Sequence, residues 1–170
     1  MPASVEHPAQ KSGARHSVKG EFRDVLLIEN PHSGGGKGWN VEPFLERLRE
    51  LSIKTRHERP ETPEEALTLL AETKAGAVAV AGGDGTLNPL VEWLIKRQLP
   101  LLVLPAGTAN DFARSLDMPE DPAELADLLH NSDIAEVDVG YANGKPFLNA
   151  ASIGMTNTIS RLQDKNRKRQ

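Results

Sequence analysis

The sequence predicts an α/β fold with a mainly parallel sheet covered by helices. Three observations support this: short apolar runs alternate with amphipathic segments, glycine-rich loops follow several of the runs, and no apolar stretch approaches the length of a membrane-spanning helix. Apolar runs of about four to eight residues are typical of buried strands, and their alternation with helical periodicity is typical of parallel β-α-β units. The chain has 170 residues, enough for one ordinary domain with a substantial core.

Up to His130, the sequence predicts four strands and five helices. Strands are predicted at Asp24–Asn30, Ile53–Arg59, Ala77–Ala81 and Pro100–Pro105. Helices are predicted at Val41–Leu51, Thr62–Thr73, a segment that starts at Asn88, Asn110–Leu116 and Pro122–His130. The second helix has a strong start, because Thr62 suits the cap, Pro63 suits the first helical position and Glu65 completes a capping box. Asn88 followed by Pro89 predicts a helix start of the same kind.

The pattern changes after His130, where antiparallel structure is expected. The dipeptide Asn143-Gly144 lies between two strand-like runs in Ala135–Ser152 and is the strongest short hairpin signal. Two strands alone make a marginal structure, so the chain is expected to be a fragment, or a stripped-down relative, of a longer two-lobed protein. The predicted organisation is a disordered leader at 1–20, an α/β domain at 21–132, the start of a truncated β lobe at 133–160 and a basic tail at 161–170.

The composition narrows the classes of function. The formal net charge is −4, so the surface as a whole is a poor electrostatic match for nucleic acid. The chain has no cysteine, hence no disulfide and no thiolate metal site, which fits a cytoplasmic protein. The basic tail has five basic residues and one acidic residue. Two interpretations of the tail stay open: a solvated segment, or a transient contact with an anionic membrane surface.

The stretch VAVAGGDGTLNPLVEWL, from Val78 to Leu94, places glycines and one carboxylate between a buried strand and a helix. Ligands of open parallel sheets bind at the carboxyl ends of strands, and glycines let phosphate oxygens approach backbone N–H groups. Asp84 fits there if it binds Mg²⁺ near the phosphates or orients a hydroxyl. The alternative is a strand–helix turn in which Asp84 is a helix cap. The candidate binding residues are Gly82, Gly83, Asp84, Gly85, Thr86 and Asn88.

Two further glycine-bearing loops follow predicted strands. NPHSGGGKG spans Asn30–Gly38, and LPAGTANDFAR spans Leu104–Arg114 with Gly107 and Thr108 at its turn. The first is not the GxxxxGK[ST] phosphate loop, because Trp39 follows its last glycine. In a parallel sheet all three loops open at the same edge, so one phosphorylated ligand accounts for them together.

The motifs NPHSGGGKG, GGDGTLN and LPAGTANDFAR, in this order and at these separations, resemble the catalytic domain of the diacylglycerol kinase and sphingosine kinase superfamily, bacterial soluble lipid kinases above all. The similarity covers roughly Val25 to Ile159. GGDGT alone also occurs in NAD kinases and phosphofructokinases, whereas the combination is specific to lipid kinases. The resemblance implies an N-terminal lobe like that of phosphofructokinase and NAD kinase. It also implies that ATP binds between two lobes and, with Mg²⁺, donates its γ-phosphoryl group to a lipid hydroxyl such as that of diacylglycerol.

The resemblance also implies roles for individual residues. By this likeness Gly83, Asp84, Gly85, Thr86, Asn88 and Thr108 line the nucleotide phosphates, Asn30, Ser33 and Gly34 form the neighbouring wall, and Asn110 and Asp111 brace their loop. Asp84 is the single candidate catalytic residue and no metal ligand is assigned, because the family takes its general base and metal carboxylates from the C-terminal lobe. Pro89 stands where the family usually has a glutamate, so one polar contact near the nucleotide is lost.

Two alternatives to a lipid kinase remain at this point: a non-catalytic nucleotide-binding or regulatory module, and an NAD-kinase-like enzyme, against which NPHSG and GTANDF argue. The expected partners are ATP, a lipid alcohol and, through the exposed face of the hairpin, a second copy of the chain. Residues 1–170 alone are expected to be inactive, because the general base is expected in the C-terminal lobe.

Overall fold

The computed structural model describes residues 18–19, 22–33, 39–131 and 133–148, so most of the predicted leader and all of the basic tail lie outside the described residues. The strands are β1 (Val18–Lys19), β2 (Asp24–Glu29), β3 (Lys54–Glu58), β4 (Ala77–Gly82), β5 (Leu101–Pro105), β6 (Asp133–Ile134), β7 (Gly140–Ala142) and β8 (Lys145–Phe147). The helices are α1 (Glu42–Glu50), α2 (Pro63–Glu72), α3 (Asp84–Leu87), α4 (Val91–Arg97), α5 (Asp111–Ser115) and α6 (Pro122–Asn131).

Four strands form one parallel sheet in the order β3-β2-β4-β5. The register pairs Leu27 of β2 with His57 on one side and Ala79 on the other, and pairs Val80 of β4 with Val103. Every residue of β4 is buried, as expected of a central strand covered by helices on both faces. The predicted α/β fold is confirmed, and the carboxyl ends of all four strands meet at one edge.

Two apolar clusters cover opposite faces of this sheet because successive strand residues alternate in direction. Leu27 packs in the first cluster and its neighbour Leu26 in the second. The first cluster joins β2, β4 and β5 to α1 and α6 and includes Phe44, Leu48, Ala79, Leu104 and Leu125. The second joins the other face to the helices from α2 to α5 and includes Leu70, Val78, Leu87, Leu90 and Phe112.

The predicted start of α2 is confirmed. Thr62 lies in extended backbone, and its Oγ1 accepts a hydrogen bond from the Glu65 N–H at 3.2 Å. The Glu65 carboxylate returns to the backbone N–H of Glu61, at 2.9 Å, one residue before the cap. Both backbone N–H groups therefore find an oxygen within the segment itself.

The predicted helix start at Asn88 and Pro89 is wrong. The helical segment begins at Asp84, directly after β4, with Gly83 in extended backbone at the cap position. Asn88 already has helical backbone angles, φ −52° and ψ −42°. The chain accommodates Pro89 by a 3₁₀ turn at Asn88–Leu90, which joins α3 to α4. The glycine motif is therefore itself the first turn of the helix.

The hairpin at Asn143-Gly144 is confirmed. Both turn residues have positive φ, 51° and 76°, as a two-residue hairpin turn requires, and β7 pairs with β8 in antiparallel fashion. Val18 and Lys19, which the sequence analysis placed in the disordered leader, instead form β1 and pair with β6. The other domain boundaries stay predictions. Within the described ranges, no helix combines the length and the apolar character needed to cross a membrane.

Candidate functional site

The loops after β2 and β4 are tied together at the carboxyl edge of the sheet. The side-chain Nδ2 of Asn30 donates to Oγ1 of Thr86 at 2.7 Å, and the backbone N–H of Asn30 donates to the Ala81 carbonyl at 2.9 Å. The carbonyl of Asn30 in turn accepts from the N–H of Ser33 at 3.1 Å. The start of the first predicted loop, from Asn30 to Ser33, is thus positioned by direct contact with the first turn of α3.

The glycines at this edge serve two different purposes. A Cβ on Gly107 would lie 2.4 Å from Cα of Gly83, and a Cβ on Gly82 would lie 2.6 Å from Cβ and Oγ1 of Thr86. These glycines are needed because the protein packs against itself at these points. A Cβ on Gly85 would meet nothing within 4 Å. Of the glycines described in the GGDG motif, only Gly85 faces open space, where a ligand can approach the backbone.

The carboxylate of Asp84 reaches across to the loop after β5. Its Oδ2 accepts from the N–H of Asp111 and its Oδ1 from the N–H of Phe112, each at 3.0 Å. These are the first two residues of α5, so Asp84 caps a helix, although a different one from the helix considered in the sequence analysis. The two loops are therefore joined by a bidentate contact as well as by Gly83 and Gly107.

Asn110 braces its own loop, as the sequence analysis expected. Its Oδ1 accepts from the N–H of Gly107 at 2.9 Å, and its Nδ2 donates to the carbonyls of Pro105 and Gly107 at 3.0 Å. The residue has a left-handed φ of 53°, which asparagine tolerates better than most residues. Asp111 is paired with Arg114 at 2.7 Å. Thr108 is left exposed at the tip of this loop.

The structure adds one segment that the sequence analysis did not assign to the site. A cleft of about 90 Å³ lies between the residues that follow β3 and the first turn of α3. Its walls are Ile28, Asn30, Pro60, Glu61, Thr62, Pro63, Ala66, Gly85, Thr86, Pro89 and Leu90. The signal that could have found this segment is its position, since it also follows a parallel strand and therefore reaches the same edge.

Several ionisable side chains beside the cleft contact one another. The carboxylate of Glu29, with its side chain 15% exposed, lies 2.7 Å from Nε2 of His57 and 3.4 Å from the guanidinium of Arg59. At the surface, Nε2 of His32 lies 3.0 Å from the Glu61 carboxylate, which connects the loop after β2 to the segment after β3. These contacts position the outer strand β3 and its connection against the first loop.

A family model for the diacylglycerol kinase catalytic domain matches residues 24–142. The chain belongs to this family. It is 34% identical over 146 residues to the diacylglycerol kinase of Bacillus subtilis (strain 168), covering 78% of this chain and 46% of that protein. It is 31% identical over 140 residues to the diacylglycerol kinase of Staphylococcus saprophyticus, covering 79% of this chain and 46% of that protein.

The fold of this diacylglycerol kinase family member is also similar to a solved structure. A diacylglycerol kinase crystal structure from Bacillus anthracis str. Sterne superposes with a TM-score of 0.60 at 30% identity, over 77% of this chain and 47% of that one. The predicted family and its α/β lobe are thereby confirmed. The chain spans about half the length of the curated relatives named above.

The family domain brings most of the predicted site residues to one edge. Asn30, Ser33, Gly83, Asp84, Gly85, Thr86 and Thr108 all lie in the loops that follow β2, β4 and β5 or in the first turn of α3. Asn88 lies one turn further along the helical segment and is exposed. Gly82 is buried as the last residue of β4. Gly34 lies outside the described residues, so its predicted role is not addressed by the structure.

The described residues do not fit a resident metal site. In residues 18–19, 22–33, 39–131 and 133–148, no three side chains of histidine, cysteine, aspartate or glutamate are grouped to hold an ion.

Away from the edge, hydrogen bonds to Glu50 and Asp127 raise the pKa of Arg47 above its ordinary value. Arg47 lies in α1 and donates to Asp127 of α6, so this effect concerns helix packing rather than the site.

Proposed function

We propose that this domain binds the phosphates of ATP at the carboxyl edge of its sheet, as part of a lipid kinase that transfers the γ-phosphoryl group to a lipid hydroxyl. Diacylglycerol is the proposed class of acceptor, since it is the substrate named for the relatives. The observation that supports this most directly is that three loops meet around the first turn of α3. In this turn the backbone of Gly85 faces open space, and Oγ1 of Thr86 accepts a hydrogen bond from Asn30.

The first turn of α3 has the groups that bind phosphate. Gly85 is the second helical residue, so the helix provides no acceptor for its N–H, and its Cα faces open space. Oγ1 of Thr86 already accepts from Asn30. The hydroxyl hydrogen of Thr86 is therefore directed towards another acceptor, such as a phosphate oxygen. The partial positive charge at the helix start favours the same anion.

Thr108 lies in the neighbouring loop, next to Gly107. Thr108 is exposed, while Gly107 packs against Gly83 at the start of α3. A hydroxyl on a loop fixed in this way can contact a phosphate without reordering the loop at each binding event. Ser33 and Gly34, in the first loop, are also proposed to lie beside the nucleotide.

Phosphoryl transfer depends mainly on positioning and on stabilisation of negative charge in the transition state. The described residues supply positioning of the nucleotide. Mg²⁺ is the expected companion of ATP in this reaction. The general base is expected in the C-terminal lobe, so residues 1–170 alone are expected to be inactive.

A non-catalytic nucleotide-binding module would show the same ATP binding without lipid phosphorylation. Residues 1–170 alone are expected to form no product under either proposal. A radiolabelled-ATP assay with diacylglycerol therefore separates the two when it is run on a chain that carries the C-terminal lobe beside the 170-residue chain. An NAD-kinase-like enzyme is disfavoured because the chain belongs to the diacylglycerol kinase family.

Three further predictions concern where the protein acts and what it contacts. They are a cytoplasmic location, a contact between the basic tail and a membrane surface, and a homodimer formed through the hairpin. Tyr141 of the hairpin is 60% exposed, so it is the residue to alter when dimerisation is measured.

Titration calorimetry with ATP and Mg²⁺ tests the binding site. Thr86→Val keeps the shape of the side chain and removes its hydroxyl, so the affinity for ATP is expected to fall about tenfold, as for the loss of one hydrogen bond to a charged group. Thr68→Val is the matched control, because Thr68 is an exposed threonine of α2 whose hydroxyl donates to the backbone carbonyl of Glu64. Absence of heat up to millimolar ATP, with the wild-type domain shown to be folded, would contradict the proposal.

A further inference from the structure

We infer that Asp84 is a positioning residue, whose carboxylate holds the start of α5 and thereby fixes the loop Gly107–Asn110 beside the first turn of α3. Its role in nucleotide binding rests on the proposed function, but its role in loop geometry does not. Asp84 then acts through Thr108 and the backbone of α5, and not as the catalytic residue that the sequence predicted.

The contact uses both oxygens of the side chain. Oδ2 accepts from Asp111 and Oδ1 from Phe112, each at 3.0 Å, so the carboxylate is matched to two consecutive N–H groups. A carboxylate at a helix start is favoured both by these hydrogen bonds and by the partial positive charge of the helix end. The geometry is that of a cap supplied from another loop.

Helix α5 needs this outside cap because its own cap residue is engaged elsewhere. Asn110 precedes α5 but makes no side-chain hydrogen bond to it. Its side chain instead bonds to Gly107 and Pro105 and closes the loop. Asn110 therefore shapes the loop, while Asp84 decides where the shaped loop sits relative to β4.

A second contact acts in the same direction. Gly83, next to Asp84, is so close to Gly107 that a Cβ on Gly107 would lie 2.4 Å from its Cα. On the far side, the Phe112 side chain is buried in the core at 6% exposure. The segment from Gly107 to Phe112 is thus held at both ends, and the exposed Thr108 lies between the two anchors.

Asp84→Asn separates positioning from proton transfer. The amide keeps one acceptor oxygen but presents N–H hydrogens where the second oxygen stood, so one of the two backbone N–H groups loses its acceptor. If Asp84 were only a base, the variant would keep the apo structure of the loop and lose turnover. If Asp84 is a positioning residue, the loop changes before any nucleotide is added.

Amide NMR on the protein without nucleotide measures this directly. In wild type, the Asp111 and Phe112 amides are expected to be protected from hydrogen exchange. In Asp84→Asn, the exchange of at least one of them is expected to accelerate about tenfold or more, and the resonances of Gly107 and Thr108 are expected to move. Asp24→Asn is the matched control, since Asp24 accepts from the Gly76 N–H at 2.9 Å at the opposite edge of the sheet.

A double-mutant cycle on ATP affinity tests whether the role passes through Thr108. Asp84→Asn and Thr108→Val are each expected to weaken binding several-fold, and together to weaken it by less than the product of the two, because both remove the same contact. Multiplicative effects would contradict the route through Thr108. Unprotected Asp111 and Phe112 amides in wild type, or an unchanged loop in Asp84→Asn, overturn the inference. A wild-type protein that binds no ATP overturns the proposed function alone.

Discussion

The starts of α2 and α5 are both capped by side-chain oxygens, but the caps come from very different distances along the chain. At α2 the partners lie within four residues of one another, since Thr62 accepts from Glu65 and Glu65 accepts from Glu61. At α5 the oxygen belongs to Asp84, 27 residues before the Asp111 N–H that it binds. The first cap orders one segment, whereas the second also joins two loops of the candidate site.

This difference determines how far from its own position a substitution changes the structure. Loss of a local cap frays one helix end and leaves the tertiary arrangement intact. Loss of the cap on α5 releases a loop whose position is set by contacts with β4 and α3. The same reasoning applies to the glycine pair Gly83 and Gly107, where the two loops touch through their backbones.

The largest effect is expected from Gly107→Ala. The added Cβ would lie 2.4 Å from Cα and 2.8 Å from N of Gly83, and backbone atoms cannot give way as a flexible side chain can. The free energy of unfolding is expected to fall by about 2–3 kcal/mol, as in other overpacked sites. Denaturant-induced unfolding followed by circular dichroism measures this.

Gly85→Ala is the control for that prediction. A Cβ at Gly85 meets nothing within 4 Å and the residue lies in helical backbone, so the change is expected to be neutral or to stabilise the fold by up to about 1 kcal/mol. Equal stability of the two alanine variants would contradict the claim that Gly107 is required by packing.

An intermediate effect is expected from Asp84→Asn on stability. One of the two backbone N–H groups of α5 loses its acceptor and a donor faces a donor, which is expected to cost about 1–2 kcal/mol. Thermal unfolding measures the loss. A change within about 0.3 kcal/mol, small for the loss of a helix cap, would show that the cap from the neighbouring loop contributes little to the fold.

The sequence predicted the elements whose signals are local. The start of α2 and the turn at Asn143-Gly144 follow from residues adjacent in the chain, and both are confirmed. The parallel sheet followed from apolar runs, and the common edge of the three loops followed from the sheet. The start at Asn88 was predicted wrongly, because an asparagine–proline pair also fits a 3₁₀ turn inside a helix.

The parts of the site that sequence could not predict depend on distant residues. Nothing near Asp84 in the chain indicates that its carboxylate binds the N–H groups of Asp111 and Phe112. Likewise, the glycines of GGDG predict close approach, but only the fold shows that Gly83 approaches Gly107 while Gly85 faces open space. Local chemistry identified the residues, and the tertiary contacts assigned them to packing or to a ligand.

The smallest effect is expected from Glu65→Gln, the same replacement of a carboxylate by an amide at the start of α2. Here one N–H, that of Glu61, needs one oxygen, and glutamine still provides it. The side chain is exposed, so the lost charge at the helix start is screened, and the free energy of unfolding is expected to fall by only about 0.3 kcal/mol. Denaturant unfolding of Glu65→Gln and Asp84→Asn side by side measures the difference. If the two variants lose equal stability, the stability that each cap contributes comes from the charge of its carboxylate. The number of N–H groups bound by the carboxylate then has no measurable effect.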